Sequence, residues 1–370
     1  MRTLLINWVY HPPVGHVVEA LRLAHEFKTA DPEARISVLL NRRAPAELAD
    51  CVPAVAEAFS IDLARAGDLA GLPADLPRDW DYVFTDPRAA TVAEPGLARF
   101  HAAFRGWVRA TAVNRGWDPE SMPPRTVTPL RLDLPPEARA AAASRSRSDA
   151  APRVSVLLGA GSHYTTPSLA FWTTLFEAFL DRHPRAEIVL LGSLSTERTS
   201  TRGVTRGDLD GLLERFPSIH DAFDAGLLVQ LALAERCAVH VSPHSGMSFA
   251  VQAVGVPWLA LSGQAWHEFL LNGVPLVAVY PDCPLYPCFR EMYPECRTLR
   301  DAGRRTPCIE DDALLGKLDE ILAGMETLIA GELPYAEAAR RHQAALRERL
   351  GPDSWTVVDW PAVVAEEYVF

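Results

Sequence analysis

Two histidines stand where an apolar run gives way to a turn and then to helical spacing, which is where an open α/β sheet presents side chains to a ligand. His16 follows Gly15 after "TLLINWVYHPPV", and His244 begins "HSGM" after "CAVHVSP". Imidazole titrates near neutral pH, so His16, projecting from a helix start, can act as a general base. Beside His244, Ser245 and Gly246 are small, so the backbone N–H groups that open the next helix can approach an anion closely and the helix dipole favours it. His244 is then placed to donate a hydrogen bond to the same anion, with Met247 in the first turn and Gln252 further along. The plainer alternatives are a His16 that caps or packs its helix and a His244 buried against a backbone carbonyl.

Two further loops carry donors. In "GAGSHYTT", Gly159 and Gly161 permit a tight turn, while Ser162, His163, Tyr164 and Thr165 offer donors toward a phosphate. No GK[ST] follows, so the loop is not a P-loop, and an ordinary glycine-rich connection is the alternative. "LLGSLSTE" ends the next strand and presents Gly192, Ser193 and Glu197. Four of the six cysteines, Cys283, Cys288, Cys296 and Cys308, fall at spacings of five, eight and twelve. Four thiolates suit structural zinc, but these spacings are looser than paired CxxC knuckles, and a loop packed by reduced thiols is the plainer expectation.

The elements that position these residues follow from patterning. At 370 residues the chain exceeds one hydrophobic core, so two domains are expected. Strand "TLLINWVY", turn "HPPVG", helix "HVVEALRLAHEF" and strand "RISVLL" open a doubly wound domain over 1–135, continued by "WDYVFT" and the amphipathic "ARFHAAFRGWVRATAVN". Residues 136–152, rich in Ala, Ser and charge, read as a linker. The pattern then restarts over 153–345: strand "RVSVLLGAGS", helix "SLAFWTTLFEAFLDRHP", strand "AEIVLLGS", helix "DLDGLLERF", strand "LLVQL", helix "LALAERC", strand "AVHVS", the helix after His244, and strand "PWLALSG". The late helix "PYAEAARRHQAALRERL" and a tail, 346–370, are candidates to cross back to the first domain. The fold class expected is α/β, two Rossmann-like doubly wound domains facing a cleft.

Composition narrows the partners. A formal charge of −11 gives no basic footprint for nucleic acid or an anionic membrane. No run of eighteen apolar residues and no signal-peptide pattern occurs, so a cytoplasmic protein with small-molecule substrates is expected. Oligomeric state is not legible.

Two similar α/β domains around a cleft are the GT-B architecture, and the chain resembles family 9 of the glycosyltransferases, the ADP-heptose heptosyltransferases. The resemblance rests on "NWVYHPPVGHVVEAL", on "LALAERCAVHVSPHSGMSFAVQAVGVPWLALSG", and on "CPLYPCFREMYPECR" running to "TPCIEDD". It departs from that family where His16 and His244 stand in place of Asp, where Phe249 stands in place of His, and where a lysine near "GAGSHYTT" is missing. The two histidines are similar instead to the Gly-His and His-x-Gly positions of family 1, whose acid eight residues beyond is Gln252 here.

The resemblance implies transfer of a sugar, a heptose from ADP-heptose above all, to an acceptor. His16 would take the acceptor proton, His11 and Gly15 would lie on the acceptor side, and Gly159, Gly161–Thr165, Gly192, Ser193, Glu197, His244–Met247 and Gln252 would bind the donor. No carboxylate pair stands at motif positions for a covalent route, and no DxD pair marks a metal-dependent transferase. A single inverting displacement with no required cofactor is therefore expected. An acidic chain with no basic or amphipathic membrane segment favours a soluble acceptor such as a specialised metabolite of the antibiotic kind. A lipopolysaccharide-core heptosyltransferase, a sugar-nucleotide epimerase on the same fold, and a non-catalytic nucleotide-binding relative are the alternatives.

Overall fold

A computed structural model describes residues 2–10, 13–62, 72–85, 95–111, 113, 129–145, 152–160, 166–195, 201–261, 272–283, 296, 298–299 and 302–350. They form two units, divided between Asp133 and Leu134.

The first unit contains β1 (Thr3–Trp8), α1 (Val14–Ala30), β2 (Arg35–Asn41), a 3₁₀ turn (Ala46–Cys51), β3 (Glu57–Ile61), β4 (Tyr82–Thr85) and α2 (Pro95–Ala110). Its sheet runs β3-β2-β1-β4 with every pair parallel. The chain winds outward from β1 to β3 and then returns to β4 on the other side of β1. The topological switch point therefore lies between β1 and β4.

β1 is nearly all apolar because both its faces are covered, as parallel sheets require. On one face Trp8 stacks on Phe84 at 6.2 Å, and Phe27 of α1 meets Phe84 at 5.9 Å. On the other, Leu5 shares a core with Phe100 and Phe104 of α2. Each such side chain contributes about 1.5–3 kcal/mol by leaving water, which holds the carboxyl end of β1 rigidly in place.

The second unit contains α3 (Pro136–Arg145), β5 (Arg153–Leu157), α4 (Leu169–Arg182), β6 (Glu187–Leu191), α5 (Arg206–Arg215), β7 (Ile219–Asp221), α6 (Leu227–Ala234), β8 (Val239–Pro243), α7 (Gly246–Ala253), β9 (Trp258–Leu261), β10 (Leu276–Val279), α8 (Asp311–Leu315), α9 (Leu318–Ile329) and α10 (Tyr335–Leu350). Its six-stranded parallel sheet has the order β10-β9-β8-β5-β6-β7, so its switch point falls between β5 and β8. α4 buries Phe171, Trp172, Leu175, Phe176 and Phe179 against the sheet. The Trp172 indole N–H donates to the Leu158 carbonyl at 2.8 Å, tying that helix to the chain leaving β5.

Several elements differ from their expectation. "LLVQL" is not a strand but most of α6, whose residues Gln230 to Ala234 are all buried. A short unbroken apolar run does not distinguish a buried strand from a buried helix. Ten residues of the expected linker form α3, which packs on α6 through Ala138 and Ala142. Its apolar stripe is built of alanines too small to mark a face. Arg139 secures it with two hydrogen bonds to Glu235, each 2.9 Å. The late helix α10 packs on β10 of its own unit, where Tyr280 and His342 share a hydrogen bond and stack. The tail beyond Leu350 lies outside the described residues. β3 and β10 escape pattern reading because they are short edge strands, β3 with only two of its five positions buried.

Candidate functional site

At the first switch point, β1 leads through Val9 and Tyr10 to Pro13, which caps α1 in extended conformation (φ −61°, ψ 151°) without a side-chain hydrogen bond. Gly15 and His16 are the second and third residues of the helix. The His16 side chain is 32% exposed, and its Nδ1 lies 3.1 Å from Oε2 of Glu19, which is 11% exposed. Residues three apart on a helix are neighbours. With Glu19 accepting from Nδ1–H, the lone pair of His16 sits on Nε2, the form of imidazole that can receive a proton.

Sequence reading missed Glu19, although the His-x-x-Glu spacing was its signal. Further into the unit, Asn7 Nδ2 donates to the Tyr10 hydroxyl at 3.3 Å, and that hydroxyl lies 3.2 Å from Nδ1 of His101 on α2. Burial and then the charge of Arg105 hold His101 below its ordinary value, so this chain of groups is neutral scaffolding for the turn. His11 lies outside the described residues.

At the second switch point the helix opening is uncharged. Ser245 is the N-cap of α7 and its Oγ accepts from the Ser248 N–H at 3.3 Å. Ser248 is a hub: its hydroxyl lies 2.9 Å from Ser245 Oγ, 2.6 Å from Ser242 Oγ and 3.2 Å from His240 Nε2. The Trp258 indole donates to Ser242 at 2.9 Å, and His240 Nδ1 meets Ser155 Oγ at 3.0 Å. His240 is fully buried, which pushes its pKa down to about 3 and keeps it neutral. This network spans β5, β8, α7 and β9 and fixes Ser245 and Gly246 at the crevice.

His244 is half-buried between rings, edge-on to Phe249 at 5.2 Å and stacked on Trp258 at 6.1 Å. Met247 is half-buried in the first turn of α7, whereas Gln252 is wholly buried.

Beside α7, the chain leaving β5 is held by a close approach. A Cβ at Gly159 would stand 2.6 Å from Thr166 Cγ2, so only glycine fits where the two ends of the 159–166 loop meet. Thr166 Oγ1 donates to the Arg202 carbonyl at 3.0 Å and accepts from Ala160 N–H at 3.3 Å. Gly161, Ser162, His163, Tyr164, Thr165 and Glu197 lie outside the described residues.

After β6, Gly192 packs under Phe223, and its backbone exchanges two hydrogen bonds with the Gln230 side chain, at 2.8 and 3.0 Å. Ser193 donates to Asp224 at 2.6 Å, and the N–H groups of Leu194 and Ser195 aim at the same oxygen at 3.0 and 3.5 Å. Burial works to raise the Asp224 pKa, but those hydrogen bonds and nearby Arg206 outweigh it and hold it low. The Leu194 and Ser195 amides are thus committed to the Asp224 carboxylate.

Two Asp-x-Asp spellings do occur, at 79–81 and 208–210. Asp81 accepts from Thr3 N–H and Oγ1, and Asp208 from Thr205 in a capping box, so in each pair one carboxylate serves local structure. Cys308 lies near Cys283 and Cys296, and burial foremost pushes its thiol up. Among the described residues no group of three or more His, Cys, Asp or Glu side chains is arranged to hold a metal ion, and Cys288 lies outside them. Nor, among them, is any helix long and apolar enough to cross a membrane.

Two doubly wound parallel sheets of this kind define the GT-B class of α/β fold. The sequence itself matches no family model and no curated protein. The fold is similar to that of E. coli ADP-heptose lipopolysaccharide heptosyltransferase II, with a TM-score of 0.57 and 15% identity over 90% of this chain and 99% of that one. It is likewise similar to a glycosyltransferase family 9 structure from Veillonella parvula, with a TM-score of 0.56 and 12% identity over 87% of this chain and 97% of that one. At such identities the likeness is one of fold.

Proposed function

We propose that the protein is a glycosyltransferase that moves a sugar from a nucleotide diphosphate donor, ADP-heptose foremost, to a small acceptor. The observation that carries the reading is the placement of complementary chemistry at the two switch points of a GT-B chain: a carboxylate-paired histidine in the first unit and an uncharged helix opening in the second. The fold likeness to a heptosyltransferase, over 90% of this chain, is what favours a donor of that class.

In the reaction proposed, the acceptor hydroxyl attacks the anomeric carbon, its proton passes to His16 Nε2, and the bond from that carbon to the diphosphate oxygen breaks. The displacement inverts the anomeric centre, and the nucleoside diphosphate leaves with the electron pair. Glu19 fixes the tautomer and stabilises the imidazolium that forms. Ser245, Gly246 and the α7 dipole stabilise the departing charge. A net charge of −11 suits an uncharged acceptor, such as a specialised metabolite, better than an anionic lipid.

The test is a melting-temperature panel with ADP, GDP, UDP and dTDP, then ADP-heptose. Ligand at a thousand times its dissociation constant stabilises the folded state by roughly 4 kcal/mol. A shift confined to ADP and its heptose supports the donor. A shift with another base reassigns it, and no shift with any of them removes the transferase reading.

A further inference from the structure

The second unit lacks a lysine near its glycine-rich loop, yet a diphosphate leaving group carries concentrated negative charge that two helix-opening amides and a hydroxyl neutralise only in part. The structure brings a cation there from far along the chain. Arg305, between Cys296 and Cys308 in the chain that leads to α8, donates from Nε to the backbone carbonyl of Thr166 at 2.9 Å. Thr166 is itself locked to Ala160 and to Arg202, so the guanidinium is pinned at the closing end of the loop that leaves β5. β5 and β8 are adjacent and parallel in the sheet, and so Gly159, Ala160 and the Thr166 packed on them lie at the same end of neighbouring strands as the Ser245–Gly246 opening of α7.

Arg305 is half-buried, and among the described residues its two Nη groups have neither a carboxylate nor a carbonyl partner. Its chain neighbour Arg304 reaches Glu310 at 3.9 Å. Arg206 pairs with Asp221 at 2.8 Å and Lys317 with Asp282 at 3.0 Å, which is how an acidic chain ordinarily occupies its cations. An arginine anchored through Nε presents its Nη pair as a planar fork, the geometry that grips two phosphate oxygens.

We infer that Arg305 is the diphosphate-binding cation of the second unit, gripping the donor's diphosphate in the ground state and the leaving group in the transition state. The inference rests on the reading of this unit as a nucleotide diphosphate sugar site.

The experiment compares dissociation constants of ADP, AMP and adenosine by calorimetry, at two salt concentrations, for wild type, Arg305→Gln, Arg305→Lys and Arg185→Gln. Arg185 is exposed and lies in the link before β6, at the amino-terminal end of the parallel strands, opposite the end from which the β5 loop and α7 leave, so its removal controls for net charge. Should ADP not bind the wild type, GDP, UDP and dTDP replace it in turn, each with its monophosphate and nucleoside. A charge-assisted bidentate contact predicts that Arg305→Gln weakens diphosphate binding about 10- to 100-fold and flattens its salt dependence. Nucleoside binding should stay unchanged, Arg305→Lys should recover part of the loss, and Arg185→Gln should match wild type. Equal affinity of wild type and Arg305→Gln for the diphosphate overturns the inference while leaving the nucleotide site standing. A parallel loss of nucleoside binding also overturns it, as a general disturbance of the fold would do this. Wild type that binds none of the nucleotides removes the underlying reading instead.

Discussion

The two strand-to-helix turns at the switch points share a backbone plan and differ in what their side chains can do. After β1, the helix opens with no side-chain cap and places a partly exposed imidazole, paired to Glu19, on its third residue. After β8, the helix is capped by Ser245, and the histidine beneath it, His240, is wholly buried and held neutral. In the reaction proposed above, the same residue type serves proton transfer in one turn and architecture in the other. Exposure and the identity of the partner set them apart: a carboxylate for His16, uncharged serine groups for His240. Under that proposal one turn changes charge and the other keeps a fixed geometry for an anion.

The largest effect should come from exchanging His16. His16→Ala is expected to slow glycosyl transfer by about 10²–10⁴-fold, the range for loss of a general base, while leaving nucleotide affinity and melting temperature near wild type. Transfer at the wild-type rate would show that the first turn is no more catalytic than the second. Ser248→Ala should behave in the opposite way. Removing the hub strands His240 Nε2 and leaves Ser242 with the Trp258 indole but without Ser248, at a cost of about 2–3 kcal/mol, which thermal unfolding would read as a loss of several degrees. A change below about 0.5 kcal/mol would mean that the hydroxyl cluster does not organise the β8–α7 turn.

A third prediction concerns pH. His240 has a folded pKa of about 3 against an ordinary value of 6.5. Between those values the unfolded chain binds a proton that the folded chain refuses, so this contribution to stability is complete above pH 6.5 and declines as pH falls toward 3. The slope from one such group is at most about 1.4 kcal/mol per pH unit. Stability measured between pH 6.5 and 5, above most carboxylate titrations, should fall for wild type and fall less for His240→Gln. Identical slopes would mean that His240 accepts a proton in place.

Much of this was legible in the amino acids, unevenly and for physical reasons. The turns announced themselves because Gly15–His16 and Ser245–Gly246 interrupt strong apolar patterns, and the doubly wound order follows from the strand and helix alternation. α3 was hidden because a stripe of alanines buries too little to stand out, and α6 because a run apolar on every side has no period. Glu19 was overlooked as an ordinary helix-surface acid, and its meaning depends on the histidine one turn earlier. Arg305 could not be read locally at all, as 139 residues separate it from the carbonyl it holds. Long-range pairings of that kind leave no trace in a single sequence. Ser193 is a like case: its hydroxyl donates to Asp224, an exposed carboxylate thirty-one residues on, a pairing that its local spacing does not announce.

The smallest effect separates structure from binding at Ser245. Serine at an N-cap is worth about 1 kcal/mol over alanine, whereas glycine costs only a few tenths because its backbone meets the cap geometry and leaves the amides to solvent. Ser245→Ala should therefore lower stability measurably and Ser245→Gly hardly at all. Both lack the Ser245 hydroxyl. If that hydroxyl touches the diphosphate, the two variants should weaken nucleotide diphosphate binding by similar factors, about 10-fold, the low end for a hydrogen bond to a charged group, despite their unequal stabilities. If Ser245 acts only as a cap, affinity should track stability, with Ser245→Gly binding like wild type, and anion recognition at this turn would fall to the bare amides.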